Sequence, residues 1–286
     1  CFVPETSRWL LSKGRLKECR KVLQKIEPEN TVNDLIGQME VEIEKDRNSA
    51  VGWRYLMQPW LRTPLMIAVC IMFFQQFVGI NTVIYYSPKI FLMAGFESTL
   101  SAIWASVGIG IVNVVFTVIS LYLVDRIGRR KLYFIGLSGI AFSVLCLSAC
   151  FIYANQLGEI GRWLMVIFMF GYVAFFAISI GPLGWLVISE IFPQKVRGLG
   201  TSIGSLAVWI FNCIVSFTFF KIIDFFSIPG TEIVVGQTTS ENPAGAFFLY
   251  GFIAVLGLVW GYLFLPETKG LSLEEIEQKW RKNREC

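Results

Sequence analysis

The sequence predicts an all-α membrane protein with six transmembrane helices, flanked by cytoplasmic amphipathic helices. Three observations lead there. Hydrophobic residues make up 55% of the 286 and charged residues only 16%, too apolar a balance for an ordinary water-soluble domain. Six apolar stretches each reach the ~20 residues needed to cross ~30 Å of hydrocarbon. The basic residues sit almost entirely in one alternate set of the connections between those stretches.

In chain order, residues 1–62 read as the end of a preceding helix and then a cytoplasmic helical linker. The run Arg8 to Ile26 sets Trp9, Leu16, Val22, Leu23 and Ile26 among basic residues, which fits one amphipathic helix, and Leu35 to Ile43 fits another. A six-span bundle over 63–265 follows, its spans near Pro64 to Met93, Ala102 to Val124, Leu132 to Ala154, Trp163 to Ser189, Thr201 to Phe220 and Gly245 to Leu265. Residues 266–286 close the chain as a cytoplasmic C-terminal helix, Leu271 to Trp280 reading as one more surface helix. An even number of spans puts both termini on one side. Of 25 Lys and Arg, all but Lys89, Arg162 and Lys221 fall on that side, which the charge bias assigns to the cytoplasm.

The segment Val3-Pro4-Glu5-Thr6-Ser7-Arg8 is echoed by Leu265-Pro266-Glu267-Thr268-Lys269-Gly270, directly after the sixth span. If the first copy also follows a sixth span, another six-helix half precedes Cys1. The chain therefore reads as a fragment, the C-terminal half of a twelve-helix protein. A second symmetry lies within it. The first span carries Gly79 and Ser87-Pro88, and the fourth carries Gly181-Pro182-Leu183-Gly184. Paired Gly/Pro interruptions at corresponding positions of two three-helix units, the second inverted, point to a transporter binding site.

Chemistry is concentrated in residues 72–91. Gln75, Gln76, Asn81, Tyr85 and Tyr86 are hydrogen-bonding side chains within an otherwise apolar span. Amides in hydrocarbon need partners, so they are expected to face a wet cavity or the bundle interior. Uncharged donors and acceptors suit an uncharged polyhydroxyl ligand. On a straight helix at ~100° per residue, Gln75 and Asn81 lie about 240° apart, so a discontinuity near Gly79 is expected to bring both to one cavity.

Other function classes find little support. The chain has no His, its seven Cys show no metal-ligand spacing, and it has no phosphate-binding Gly-rich loop, which argues against an enzyme, a metal site, a cofactor or an ATP-driven pump. The net charge of +4 reflects residues flanking spans, which argues against a nucleic-acid partner.

Gln75-Gln76-Phe77-Val78-Gly79-Ile80-Asn81 with Tyr85-Tyr86, Asp125-Arg126-Ile127-Gly128-Arg129-Arg130, Gly181-Pro182-Leu183-Gly184-Trp185 with Glu190 and Arg197, and Pro266-Glu267-Thr268-Lys269-Gly270 together resemble the sugar porter family of the major facilitator superfamily. Within it they are most like the bacterial D-xylose and hexose proton symporters. The resemblance covers essentially the whole chain, but only the C-terminal half of such a transporter, a 3+3 inverted repeat. It implies an integral protein of the cytoplasmic membrane, surrounded by lipid, that moves a monosaccharide by alternating access against the N-terminal half. Gln75, Gln76, Asn81, Asn113, Trp185, Trp209 and Asn212 would contact the sugar. Tyr85, Tyr86, Gly181 and Pro182 would serve gating, although from chemistry alone Tyr85 and Tyr86 also fit an interfacial aromatic belt. Asp125, Arg126, Arg129, Arg130, Glu190, Arg197 and Glu267 would form a charge network that holds the cytoplasmic side shut in the outward-facing state.

The chain departs from the family at two positions. Ala177 stands where facilitative glucose transporters have Glu, as in the bacterial symporters, and Val208 stands where Asn or Gln is frequent. Proton symport is expected from the resemblance, which puts the coupling Asp in the absent half. A facilitative uniporter and a transporter-like sugar sensor share this half's features and remain alternatives.

Overall fold

The computed structural model describes residues 5–25, 28–47, 53–96, 98–193, 195–226, 233–235, 238–270, 275 and 280. They fall into two compact units, Cys1–Tyr55 and Leu56–Cys286.

The first unit is built from α1 (Ser7–Ser12), α2 (Leu16–Leu23) and α3 (Glu29–Arg47), with α4 (Trp53–Leu56) at its boundary. Thr6 caps α1 by accepting a hydrogen bond from the Trp9 amide. Gly14, at φ 74°, ends it, with Arg15 N–H reaching back to the Leu10 carbonyl and Gly14 N–H to that of Leu11. The single amphipathic helix expected over Arg8 to Ile26 is therefore two helices. Basic periodicity runs through both, and the left-handed turn that only Gly adopts freely separates them. Residue 26 and the expected end of the preceding helix at 1–3 lie outside the described residues. Leu10, Leu11, Cys19, Leu23, Val32 and Ile36 make a small buried core. Arg20 donates to Asn33 Oδ1 at 2.9 Å, joining α2 to α3. Burial pushes the Cys19 thiol pKa above its ordinary value, and hydrogen bonding from Arg15 lowers that of Glu18.

The second unit holds six helical stretches long and apolar enough to cross a membrane, Pro59–Met93, Thr99–Ile127, Arg129–Ile152, Ala154–Ile191, Arg197–Phe225 and Ala244–Phe264. The first comprises a short 3-10 turn, α5 (Arg62–Phe77) and α6 (Ile80–Met93). α7 (Thr99–Ile127) and α8 (Arg129–Ile152) are single helices, and the fourth stretch divides into α9 (Ala154–Ile178) and α10 (Ile180–Ile191). α11 (Arg197–Phe225) leads through a short hairpin, β1 (Ile233–Val235) paired antiparallel with β2 (Thr238–Ser240), into α12 (Ala244–Phe264). That hairpin is the one strand pairing among the described residues, and it lies between spans. The expected tail helix from Leu271 to Trp280 falls mostly outside the described residues.

α8 packs against both α9 and α12, α5 against α11, and α7 against α6 and α9. Close approach of α8 and α12 depends on small residues. A Cβ at Gly261 would lie 2.4 Å from the Tyr133 ring, and one at Gly251 2.6 Å from Leu145. The Tyr133 hydroxyl donates to the Gly257 carbonyl at 2.9 Å across the same interface. By contrast α7 and α11 are largely exposed, and the exposed side chains are apolar, including Ile111, Val114, Val118, Leu206 and Phe217.

Span one is interrupted at Gly79 as expected but not at Ser87-Pro88, where α6 continues and the Ser87 hydroxyl donates to the Ile84 carbonyl that Pro88 leaves without its helical donor. Span four is interrupted at Ser179, two residues before Gly181. Gly79, at φ 87°, separates α5 from α6, and a Cβ there would overlap the Tyr250 ring at 2.3 Å, so conformation and packing both require Gly. Ser179, at φ −128° and ψ −102°, separates α9 from α10 just before Gly181-Pro182. Pro182 has no N–H, which leaves the Ile178 carbonyl without its helical donor.

Candidate functional site at the two helix breaks

The breaks in spans one and four open onto a shared cavity of about 410 Å³. All seven residues expected to contact a ligand line it: Gln75, Gln76, Asn81, Asn113, Trp185, Trp209 and Asn212. Tyr85, Gly181 and Pro182 line it too. Gln75 and Asn81 share the cavity because the helix resets at Gly79, as the angular argument required.

Tyr86 does not line the cavity. Its ring stacks on Phe219, meets Phe220 edge-on, and its hydroxyl donates to the Ser216 carbonyl at 3.4 Å. Lys89 Nζ lies 3.9 Å from the Phe220 ring centroid, so this face of α6 is clasped to α11.

The polar side chains form a continuous chain of amides. Gln75 Nε2 donates to the Ile180 carbonyl at 3.0 Å and the Gly181 carbonyl at 2.8 Å. Gln76 Nε2 donates to Gln75 Oε1 at 3.4 Å, and Gln76 Oε1 accepts from Asn81 Nδ2 at 2.6 Å. Asn81 Nδ2 also donates to Asn212 Oδ1 at 2.9 Å, and Asn212 Nδ2 to the Tyr85 hydroxyl at 3.3 Å. Gln75 is satisfied within the protein, since the backbone at the start of α10 absorbs both of its donors.

Capacity left over faces the cavity. Asn81 Oδ1 and the Asn113 amide make no hydrogen bond among the described residues. Trp185 is 45% exposed and Trp209 66% exposed, presenting indole surface to the same space. Among the described residues the lining includes no Asp, Glu, Lys, Arg or His. Such a wall pairs neutral donors and acceptors with flat apolar surface, the combination that a polyhydroxylated ring with a C–H face requires.

Sequence reasoning did not single out Ile80, Thr117 and Phe176 as cavity-lining residues. Thr117 had a signal, lying one helical turn after Asn113 on the same face of α7. Two supporting side chains were also missed. The Ser120 hydroxyl donates to the orphaned Ile178 carbonyl at 2.8 Å, and the Tyr172 hydroxyl donates to the Val78 carbonyl at 2.8 Å. Pro182 and Gly79 announce that such donors are needed, but not which helix supplies them.

At the end of the bundle where α7 turns into α8, Arg129 Nη2 lies 2.9 Å from Glu190 and 3.3 Å from Asp125. Glu190 also accepts from the Thr268 hydroxyl at 2.6 Å. Glu267 caps α8, accepting from the Arg129 amide at 3.0 Å and the Arg130 amide at 3.2 Å. Asp125, Arg129, Glu190 and Glu267 are thus brought together. The Arg130 guanidinium turns to the Tyr262 carbonyl, and Arg126 contributes its carbonyl, which accepts from Lys269 Nζ. Arg197 Nε and Nη2 are buried with no hydrogen-bond partner among the described residues.

Comparison with known proteins identifies the family. Residues 1–280 match the family model described as "Sugar (and other) transporter". The chain is 34% identical over 278 residues to the D-xylose-proton symporter of Escherichia coli strain K12, covering 97% of this chain and 53% of that one. It is 35% identical over 280 residues to the glucose transporter GlcP of Staphylococcus epidermidis, covering 98% and 58%. Among solved structures, the proton:xylose symporter XylE bound to 6-bromo-6-deoxy-D-glucose superposes with a TM-score of 0.71 at 33% identity, over 97% of this chain and 55% of that one. The chain spans about half the length of the curated relatives it matches. Six apolar spans, two of them broken around a neutral cavity, and a family match running almost end to end place this integral membrane protein in the sugar transporter family of the major facilitator superfamily.

Proposed function

We propose that this chain forms the C-terminal wall of a monosaccharide pathway in a secondary transporter of the plasma membrane. It works by alternating access against an N-terminal six-helix half, with both of its own ends in the cytoplasm. The observation that carries the proposal is the shared cavity, lined by the Trp185 indole, in which Asn81 Oδ1 and the Asn113 amide have no hydrogen-bond partner among the described residues. Gln76, Asn81, Asn113 and Asn212 exchange hydrogen bonds with sugar hydroxyls, and Trp185 and Trp209 pack on the ring. Gln75 holds the floor of the site by fixing the start of α10. Names such as D-xylose-proton symporter and GlcP among the relatives support a pentose or hexose.

Transport is proton symport in this reading. Among the described residues no carboxylate lines the cavity, and this reading assigns the coupling group to the other half. The Asp125, Arg129, Glu190 and Glu267 cluster closes the cytoplasmic end while the outer end is open. Uptake of radiolabelled D-xylose and D-glucose by the full-length transporter in proteoliposomes, with and without an inward proton gradient, tests the proposal. Sugar uptake raised by the gradient is expected. Uptake that ignores the gradient leaves a uniporter, and no uptake with intact sugar binding leaves a sensor.

A further inference from the structure

The two helix breaks are joined by reciprocal hydrogen bonds. Gln75, at the end of α5, donates to the carbonyls of Ile180 and Gly181 at the start of α10. Tyr172, in α9, donates through its hydroxyl to the Val78 carbonyl, one residue before Gly79. The first break frees the Val78 carbonyl, which a side chain of span four satisfies, and a side chain of span one in turn ties down the first two carbonyls of α10. Tyr172 and Val78 are both fully buried, so water cannot substitute for the phenol. Neither bond reaches α6. After Gly79 the helix restarts on its own bonds, with Thr82 N–H and Thr82 hydroxyl both donating to the Gly79 carbonyl.

From this geometry we infer that Tyr172 is a positioning residue for transport, which fixes the pivot at Val78–Gly79 to the break in span four. α5, α9 and α10 act as one hub, and α6 is the half-helix that tilts about it. The inference rests on the transporter reading of the cavity but assigns a role to a residue outside that cavity. Tyr172 is absent from the lining, so its effect passes through the backbone.

Tyr172→Phe removes the donor and keeps the ring. In the full-length transporter in proteoliposomes, maximal uptake of D-xylose or D-glucose is expected to fall about tenfold, the order set by losing one buried hydrogen bond, while KM moves less than about twofold. A cysteine reporter at Ile84, which is 38% exposed on α6, reads the pivot directly. Its maleimide labelling, taken as the increment over protein with only native cysteines, should lose its dependence on bound sugar in Tyr172→Phe. Ser120→Ala, on α7, removes the donor to the Ile178 carbonyl of span four without touching the pivot in span one, and should leave that dependence in place.

Unchanged turnover and labelling in Tyr172→Phe would overturn the inference. So would a KM that rises in proportion to the lost rate, or an equal labelling change in Ser120→Ala. If Tyr172→Phe fails to fold, hydrogen exchange on the wild type decides. Peptides covering 74–78 and 176–182 should stay protected together while α6 peptides respond to D-xylose, and a response shared by all three contradicts the hub. A wild type that takes up neither sugar overturns the transporter reading alone, because the labelling difference between wild type and Tyr172→Phe still reports the pivot.

Discussion

At the scale of single residues, the amides of this site divide by how much of their bonding the protein itself consumes. Gln75 gives both donors to backbone carbonyls, whereas the Asn81 carbonyl oxygen has no partner among the described residues. Each hydrogen bond to a ligand hydroxyl contributes about 0.5–1.5 kcal/mol net, so Asn81→Ala or Asn113→Ala should weaken sugar binding by about 3–10-fold. Gln75→Ala should do more, because it removes both side-chain bonds that tie α5 to the start of α10 and so lowers thermal stability as well as affinity. Titration of sugar binding alongside thermal unfolding separates the two. Equal loss of stability in all three variants would contradict the division. Cys19, buried in the first unit, gives a pH prediction. Its folded pKa is raised, so its contribution is complete below the ordinary thiol pKa and is lost as pH rises through the folded value. Far-UV melting of the full-length protein should show the first unit weakening at alkaline pH, and a Cys19→Ala variant should lose that part of the dependence.

At the scale of elements, the spans were legible because burial in lipid demands length and apolarity, and both are visible in sequence. The helix breaks were legible from Gly79 and Gly181-Pro182, whereas Ser87-Pro88 carried the same signal and lies inside a continuous α6. The split at Gly14 was missed since an amphipathic period passes through it undisturbed. The donors at Tyr172 and Ser120 were missed since a Tyr or Ser in a span looks the same whether it packs or bonds. The ends of α7, α8 and α10 carry a prediction in which exposure decides the ranking. Asp125 is 74% exposed, so its pair with Arg129 contributes about 0–1 kcal/mol. Glu190 is 20% exposed and also holds Thr268, so its removal frees two partners. Glu190→Ala should bias the carrier towards the inward-facing state, read as increased labelling of cysteines placed at the cytoplasmic mouth, and Asp125→Ala should do so weakly or not at all. Equal shifts in the two variants would remove the ranking.

For the whole molecule, the faces that matter are those this chain leaves uncovered. α7 and α11 present exposed apolar side chains, and the cavity between the helix breaks is lined on the side this chain supplies. With about half the length of its relatives matched, the chain is expected to carry one wall of the pathway. Expressed by itself in vesicles it should show no sugar uptake above background, and co-expression with the N-terminal half should restore it. Uptake by this chain alone would contradict the two-wall account. The most direct test of the central claim is equilibrium binding of D-xylose and D-glucose to the purified full-length transporter, compared between the wild type and Trp185→Ala. The account predicts saturable binding of at least one of these sugars, independent of ionic strength because the site is uncharged, and weakened about tenfold or more by the loss of the indole. Binding that is unaltered in Trp185→Ala, or that follows salt concentration, would contradict it.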